Sequence, residues 1–378
     1  MRRRVLLPLL GLAAVVTIGV LSLHAADTIK IGLTAPITGT AADSGRYQTQ
    51  GAKLAVEEIN KAGGILGKQV ELVIEDDQTT NPGIILAFSK LAGNKDIPAF
   101  IASVRSTQVM AISPDVLKVA KPVMIGGTDP ALTHMGNPWY FRTRPNDGYS
   151  ARVIADYGVN TLHKNKWAIL YSTDAFGTGG KDALVASLKK LGITPVLIQG
   201  YTNSAQDFTA VVLALKSSGA EVMASYMTFE TDLGIFAKQL RQLGVRIPWI
   251  GSASITGTSS LRLAGSALNG TFGVSDFDRV SCPAAKAYAE KYEAAYKMRP
   301  DFFSAWAYDA MHILAMAMNN AKSLDPQKIR QAILAIENYQ GAEGTYNFDK
   351  NGDGLHGYNV VKNVDGKVVF DKHIDFKD

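Results

Sequence analysis

The stretch from Pro98 to Thr133, PAFIASVRSTQVMAISPDVLKVAKPVMIGGTDPALT, constrains the fold more than any other. It reads as a buried strand ending near Ala102, a polar turn Ser103-Val104-Arg105-Ser106-Thr107, and a helix. A second apolar strand, Val123–Ile125, ends in Gly126-Gly127-Thr128-Asp129. Short apolar runs that stop at small hydroxyl residues and pass into helices are the units of a parallel α/β sheet. Ligands of such sheets bind beyond the carboxyl ends of the strands. Helix N-termini there present unpaired N–H groups and a partial positive charge. Two such turns side by side predict a pocket for a carboxylate or another small polar group. Helix capping by Ser and Thr alone is the competing reading of these hydroxyls.

The same rhythm runs through the chain. Thr28–Ala35 reads as a first strand, followed by a turn at Pro36–Thr40 and a helix over Gln48–Ala62 that Gly63-Gly64 stops. Gln69–Glu75 alternates as a strand, and Gly83–Gly93 reads as a helix. The pattern breaks near Tyr140–Pro145 and restarts with a strand at Lys166–Tyr171 and a turn at Ser172–Gly180. A helix at Lys181–Leu191 follows, then a strand at Thr194–Gln199 and a helix at Asp207–Ser217. Val222–Tyr226 is the next strand, Asp232–Leu243 a helix and Pro248–Ile250 a strand. Helices are expected at Ala284–Tyr296, Ser304–Ala321 and Pro326–Ile336. The end reads as a β-hairpin, Tyr358–Val364 and Lys367–Phe370, joined by Asp365-Gly366. The fold class is therefore α/β, with two doubly wound parallel-sheet lobes. The late helical block must pack back on one lobe, so the chain crosses between them more than once.

Composition narrows the function. Apolar residues are 47% and charged residues 19%, which supports sizeable cores and argues against disorder. Arg2-Arg3-Arg4, the apolar run Val5–Leu23 and the small residues Ala25 and Ala26 read as a cleaved secretory signal, residues 1–26. Its removal takes Lys plus Arg from 39 to 36 against 34 acids, so the net charge of +5 falls to +2. That balance gives no reason to expect a nucleic-acid partner. The single cysteine, Cys282, allows no internal disulfide. No cysteine stands at the cleavage point to carry a lipid, so a soluble periplasmic protein is expected.

Motifs for chemistry are sparse. Asp349-Lys350-Asn351-Gly352-Asp353-Gly354 starts like a calcium loop, but position twelve is Val360 where a bidentate Glu is needed. It is read as a turn. Phe176-Gly177-Thr178-Gly179-Gly180 lacks the Lys-Ser/Thr of a phosphate loop and is read as a turn facing the cleft. No histidine pair has zinc-helix spacing, and no Gly-x-Ser-x-Gly turn occurs. Neither a cofactor nor a metal is expected, nor catalytic residues.

Several segments together resemble the substrate-binding proteins of ABC importers, branched-chain amino acid (Leu/Ile/Val) family. They are IKIGLTAPITGTAADSG, GAKLAVEEINKAGGILGKQVELVIEDDQTTNP, PVMIGGTDPALT, YFRTRPND, DAFGTGG, SAWAYDAMHILAMAM and GTYNFDKNGD. The resemblance covers essentially the whole chain after residue 26. It implies a type I periplasmic-binding fold, two lobes joined by three crossovers near Thr143–Pro145, Phe272–Asp276 and Thr345–Asp349. The N-terminal lobe would comprise 27–143 plus 275–346, the C-terminal lobe 144–274 plus 347–378. The ligand carboxylate would meet Ser106 and Thr107, with Ser103 and Arg105, and the turn Gly126, Gly127 and Thr128. Phe176 would cover the ligand from the second lobe. The family's acid for the α-ammonium falls near Ala253 and is absent, so Glu230, which follows Tyr226 and Phe229, is the expected replacement, and Tyr226 is expected in the ligand site with it. If it does not serve, an aromatic or aliphatic acid without an amine fits better. Ser44 stands where an aromatic lid is common. The implied role is capture of a small amino acid or organic acid for an inner-membrane permease, as a monomer. A periplasmic hydrolase or a ligand sensor on the same scaffold are the alternatives.

Overall fold

The computed structural model describes residues 28–376. The signal segment and its cleavage point therefore lie outside the described residues. Among the described residues no helix is long and apolar enough to cross a membrane.

The first half builds β1 (Ile29–Ala35), α1 (Ala42–Lys61), β2 (Val70–Asp76), α2 (Asn81–Gly93) and β3 (Phe100–Ile101). It continues with α3 (Ser106–Ala111), α4 (Ser113–Val119), β4 (Val123–Ile125), α5 (Ala131–His134) and β5 (Tyr140–Arg142). The strands form a five-stranded sheet in the order β2-β1-β3-β4-β5, parallel throughout. The chain then enters α6 (Asp147–Asp156), β6 (Trp167–Ser172), α7 (Ala175–Lys190), β7 (Leu197–Tyr201) and α8 (Thr209–Ser217). Next come β8 (Val222–Tyr226), α9 (Glu230–Gln242), β9 (Trp249–Gly251), α10 (Thr258–Ala264) and β10 (Phe272–Ser275).

Three helices follow: α11 (Pro283–Tyr296), α12 (Phe302–Ala321) and α13 (Pro326–Leu334). A two-stranded ribbon, β11 (Tyr339–Gln340) and β12 (Thr345–Tyr346), leads to the terminal hairpin β13 (Gly357–Val364) and β14 (Lys367–Asp375). The second sheet has seven strands, ordered β14-β13-β10-β9-β8-β6-β7. Its β6 to β10 are parallel and the hairpin is antiparallel. Asp365 and Gly366 both have positive φ, 47° and 70°, as a two-residue hairpin turn requires.

The late helices return to the first sheet. Helix α12 lies against α1 so closely that a Cβ on Gly51 would stand 2.0 Å from the Ser304 carbonyl oxygen. Its buried residues Trp306, Ala310, Ile313, Leu314 and Ala317 join Leu33, Ala52, Ala55 and Ile101 in one core. The Tyr308 hydroxyl donates to Glu58 at 2.8 Å across the same interface. Met311 and Met318 are fully buried here and act as packing.

The chain thus passes between the sheets three times, after Arg142, after Ser275 and after Tyr346. Buried polar pairs tie these passages together. Arg144 is ion-paired with Asp276, Arg142 with Asp353 at 2.7 Å, and the Tyr346 hydroxyl donates to the Thr143 carbonyl at 2.8 Å. The calcium-like loop is spent on this hinge: Asp353 also accepts from Thr133 and Asn146, while Asp349 caps its own turn.

Several boundaries differ from the sequence reading. Helix α1 starts at Ala42, not Gln48, because its buried face carries Ser44, Gly45 and Gln48 beside Ala52 and Ala55. The Gln48 amide bonds the carbonyls of Thr34 and Ala102, both at 3.0 Å, so a polar residue does the work of an apolar one. The glycine-rich Phe176–Gly180 is not an open turn but the first turns of α7. Asp174 caps it from the Gly177 N–H. The glycines serve close packing: a Cβ at 180 would lie 2.1 Å from the Tyr226 ring, and one at 179 2.7 Å from Asp129 Oδ1. Strand β7 falls three residues later at its start than expected, and β14 runs on to Asp375. Strand β5 and helix α6 occupy the stretch where the pattern broke.

Candidate functional site

The turns after β3 and β4 meet at their tips. Ser106, the first residue of α3, accepts through Oγ from the backbone N–H groups of Thr128 (3.1 Å) and Asp129 (3.2 Å). Gly127 permits the approach, since a Cβ there would lie 3.0 Å from Ser106 Cα. A serine hydroxyl that accepts still holds one proton to donate. Thr128 Oγ1 donates to Asp147 Oδ2 at 2.7 Å, and Ser150 Oγ donates to Asp147 Oδ1 at 2.9 Å. Burial pushes the Asp147 carboxyl up to about 7, against the lowering effect of those two hydrogen bonds. Ser106, Thr128 and Asp147 share a cavity of about 30 Å³ with Phe176 and Thr228 of the second lobe and with Phe303.

Arg105 closes that cavity on one side. It reaches out of the first lobe into the turn between β8 and α9. Nη1 donates to the Thr228 carbonyl at 2.5 Å, and Nη2 to Ser44 Oγ at 2.9 Å and Glu230 Oε1 at 3.2 Å. The guanidinium lies over the rings of Phe229 and Phe303, 5.2 and 5.5 Å from their centroids. Only 10% of the Arg105 side chain and 6% of Glu230 remain exposed. This is a buried ion pair made between lobes.

The other expected residues divide. Phe176 lines the cavity and stacks edge-on with Tyr226. Tyr226 is fully buried behind it, with its hydroxyl 2.9 Å from Ser150 Oγ, and does not line the cavity itself. Ser103 is a turn residue: its Oγ accepts from the Arg105 N–H and donates to Gln108. Thr107 Oγ1 accepts from the Ala175 N–H at 3.1 Å, a contact between lobes at the start of α7. Gly126 packs on Trp306, and its carbonyl accepts from Arg144 at 3.0 Å. Glu230 faces Arg105 and is already neutralised by it.

Sequence reasoning missed Asp147, Arg144 and the pair Phe302-Phe303. Asn146 caps α6 from the Gly148 N–H, so Asn146-Asp147-Gly148 carried a helix-start signal. What could not be seen is that this helix start faces Thr128.

A periplasmic binding protein family model matches residues 28–367. The chain belongs to the periplasmic binding protein family. It is 32% identical over 363 residues to the Leu/Ile/Val-binding protein homolog 3 of Brucella melitensis, covering 95% of this chain and 97% of that one. It is 27% identical over 353 residues to the leucine-, isoleucine-, valine-, threonine- and alanine-binding protein of Pseudomonas aeruginosa, covering 93% and 91%. The fold matches the branched-chain amino acid transporter substrate-binding protein LivJ of Streptococcus pneumoniae, solved with isoleucine. The TM-score is 0.85 at 24% identity, with 92% of this chain and all of that one covered. This periplasmic binding protein thus has the type I fold, and its relatives include Leu/Ile/Val-binding protein homologues.

Proposed function

We propose that this periplasmic binding protein captures a small α-amino carboxylate, branched-chain or related, between its lobes. It hands the ligand to an inner-membrane permease and catalyses nothing. The observation that carries the reading is the pairing, on one cavity, of a hydroxyl donor and a buried acid. Ser106 and the α3 N-terminus suit a carboxylate, and Asp147 suits an ammonium. Glu230 is engaged by Arg105, so Asp147 takes the role first expected of it.

A cavity of about 30 Å³ holds little more than one or two waters. Entry of an amino acid therefore requires the lobes to part or Arg105 to swing aside. The ligand meets the first-lobe turns, and closure brings Phe176 and Thr228 over it. Such hinge closure is favoured to the extent that the ligand makes contacts only in the closed form. Secretion with removal of residues 1–26 would place the protein where a permease can read that form.

A second reading is an organic acid without an amine. It is favoured by Arg105 on the cavity wall and by Ala253 where an acid would otherwise stand. A thermal-shift screen of residues 27–378 against amino acids and against aliphatic and aromatic carboxylates separates the two, because a ligand of the folded form alone raises the melting temperature. A rise with leucine, isoleucine or valine supports the first reading. A rise only with acids lacking an amine replaces it by the second, and turnover of a bound compound would overturn both.

A further inference from the structure

A second and much larger cavity, about 550 Å³, adjoins the small one. It is walled by both lobes: Leu261 of α10 and Val369 of β14 on one side, Phe277, Val280 and Pro300 on the other. The two cavities share the lining residue Phe302. Their walls continue into one another along the chain. Ser254 faces the small cavity and Thr256 the large one; Phe303 faces the small cavity and Asp301 the large one.

Phe302 is the first residue of α12 and only 2% exposed. It lines both cavities, and its ring centroid lies 4.1 Å from that of Phe303 and 4.7 Å from the Arg144 guanidinium carbon. The chamber has the volume of an ordinary ligand pocket. Its rim is charged, with Arg262 and Arg279 paired to Asp43 and Glu293 and Arg299 lining it as well, while Leu261, Phe277, Val280 and Val369 give it an apolar wall. The small cavity has head-group partners and no room.

We infer that Phe302 is a partition within one binding site, and that the chamber is its distal subsite. It takes the apolar aryl or alkyl tail of a ligand whose carboxylate sits at the Ser106 turn. The ligand class is accordingly a carboxylate with a side chain longer than that of leucine. The inference rests on the receptor reading above and deepens it.

Isothermal titration with three probes tests it: leucine, 2-amino-4-phenylbutanoate and 4-phenylbutanoate. The two phenyl probes cover ligands with and without an amine. Val280→Trp and, separately, Val369→Trp fill the chamber from positions that are 63% and 48% exposed, where the fold tolerates bulk. At least one phenyl probe should bind the wild type more tightly than leucine. Each tryptophan should weaken that probe tenfold or more and change leucine less than twofold. Phe302→Ala should strengthen the phenyl probe relative to leucine. The inference is overturned if leucine binds and neither phenyl probe does, or if both tryptophans leave the phenyl probe unaffected. Binding of none of the three removes the receptor reading itself, and the inference with it.

Discussion

Arg105 and Glu230 form an ion pair that exists only while the lobes are together, and Glu230→Ala isolates its contribution. Removing one partner of a buried pair costs about 3–5 kcal/mol if the other charge stays buried. Both side chains here are nine-tenths covered, so little of that is lost to solvent screening. The variant has a cheaper route than unfolding, because opening the lobes returns Arg105 to water. Taking the lower end, about 3 kcal/mol shifts the closed-to-open ratio by roughly 150-fold. The penalty should appear as domain opening. Small-angle scattering of the ligand-free protein should show the wild type compact and the variant expanded. Urea unfolding of the two should agree within about 1 kcal/mol, since each lobe keeps its own core. Arg105→Met with Glu230→Met should restore compactness, as apolar replacement of a buried pair often does. A variant that stays compact and loses the full 3 kcal/mol in urea would refute the argument, because the pair would then be a fixed strut. A variant unchanged in both measurements would show that the pair contributes nothing net.

Other outcomes follow from the same geometry. Ser106→Ala and Thr128→Val should each weaken ligand binding by about 1–3 kcal/mol, measured by titration calorimetry, since a buried charged group loses a partner; unchanged affinity in both would remove the site assignment. The Asp147 carboxyl is raised from 3.8 to about 7 in the folded protein. Its contribution to stability is therefore fully present below pH 3.8 and is lost as pH rises through 7. An ammonium ligand binds the ionised form, so its affinity should rise by up to about tenfold per pH unit between pH 5 and 7 and level off above. Calorimetry in two buffers should show a proton released at pH 6 and none at pH 8.5, whereas an acid lacking an amine should show no such release. Gly179→Ala places a methyl 2.7 Å from Asp129 across the cleft, and Gly180→Ala one 2.1 Å from Tyr226 inside the second lobe. The first should lower affinity with little change in melting temperature; the second should cost about 1–3 kcal/mol of stability.

The repeating strand–helix units were legible because their periodicity is local, and the two hydroxyl turns were legible because each follows an apolar strand. What escaped was set by partners far away in sequence. Strand β5 ends at Arg142, which is fully buried, and a buried arginine is unreadable as core until Asp353 is known to face it. Helix α1 hid its first turn because Ser44 and Gln48 point inward to bond Ala41, Thr34 and Ala102 rather than pack. The glycines of α7 depress helix propensity, yet the helix carries them because Tyr226 and Asp129 occupy the space a side chain would need. Glu230 stands, as its position after β8 suggested, at the start of α9, but its partner could not be assigned without seeing Arg105 cross from the other lobe. The same reasoning explains Asp147. As an isolated acid after a helix cap it is an ordinary first-turn residue. Only when the first crossover folds it under Thr128 and away from water does its carboxyl acquire a titration near neutrality. Residues that one lobe alone brings to the cavity were thus visible in local pattern. Those whose chemistry depends on a second lobe or a crossover became visible only in three dimensions.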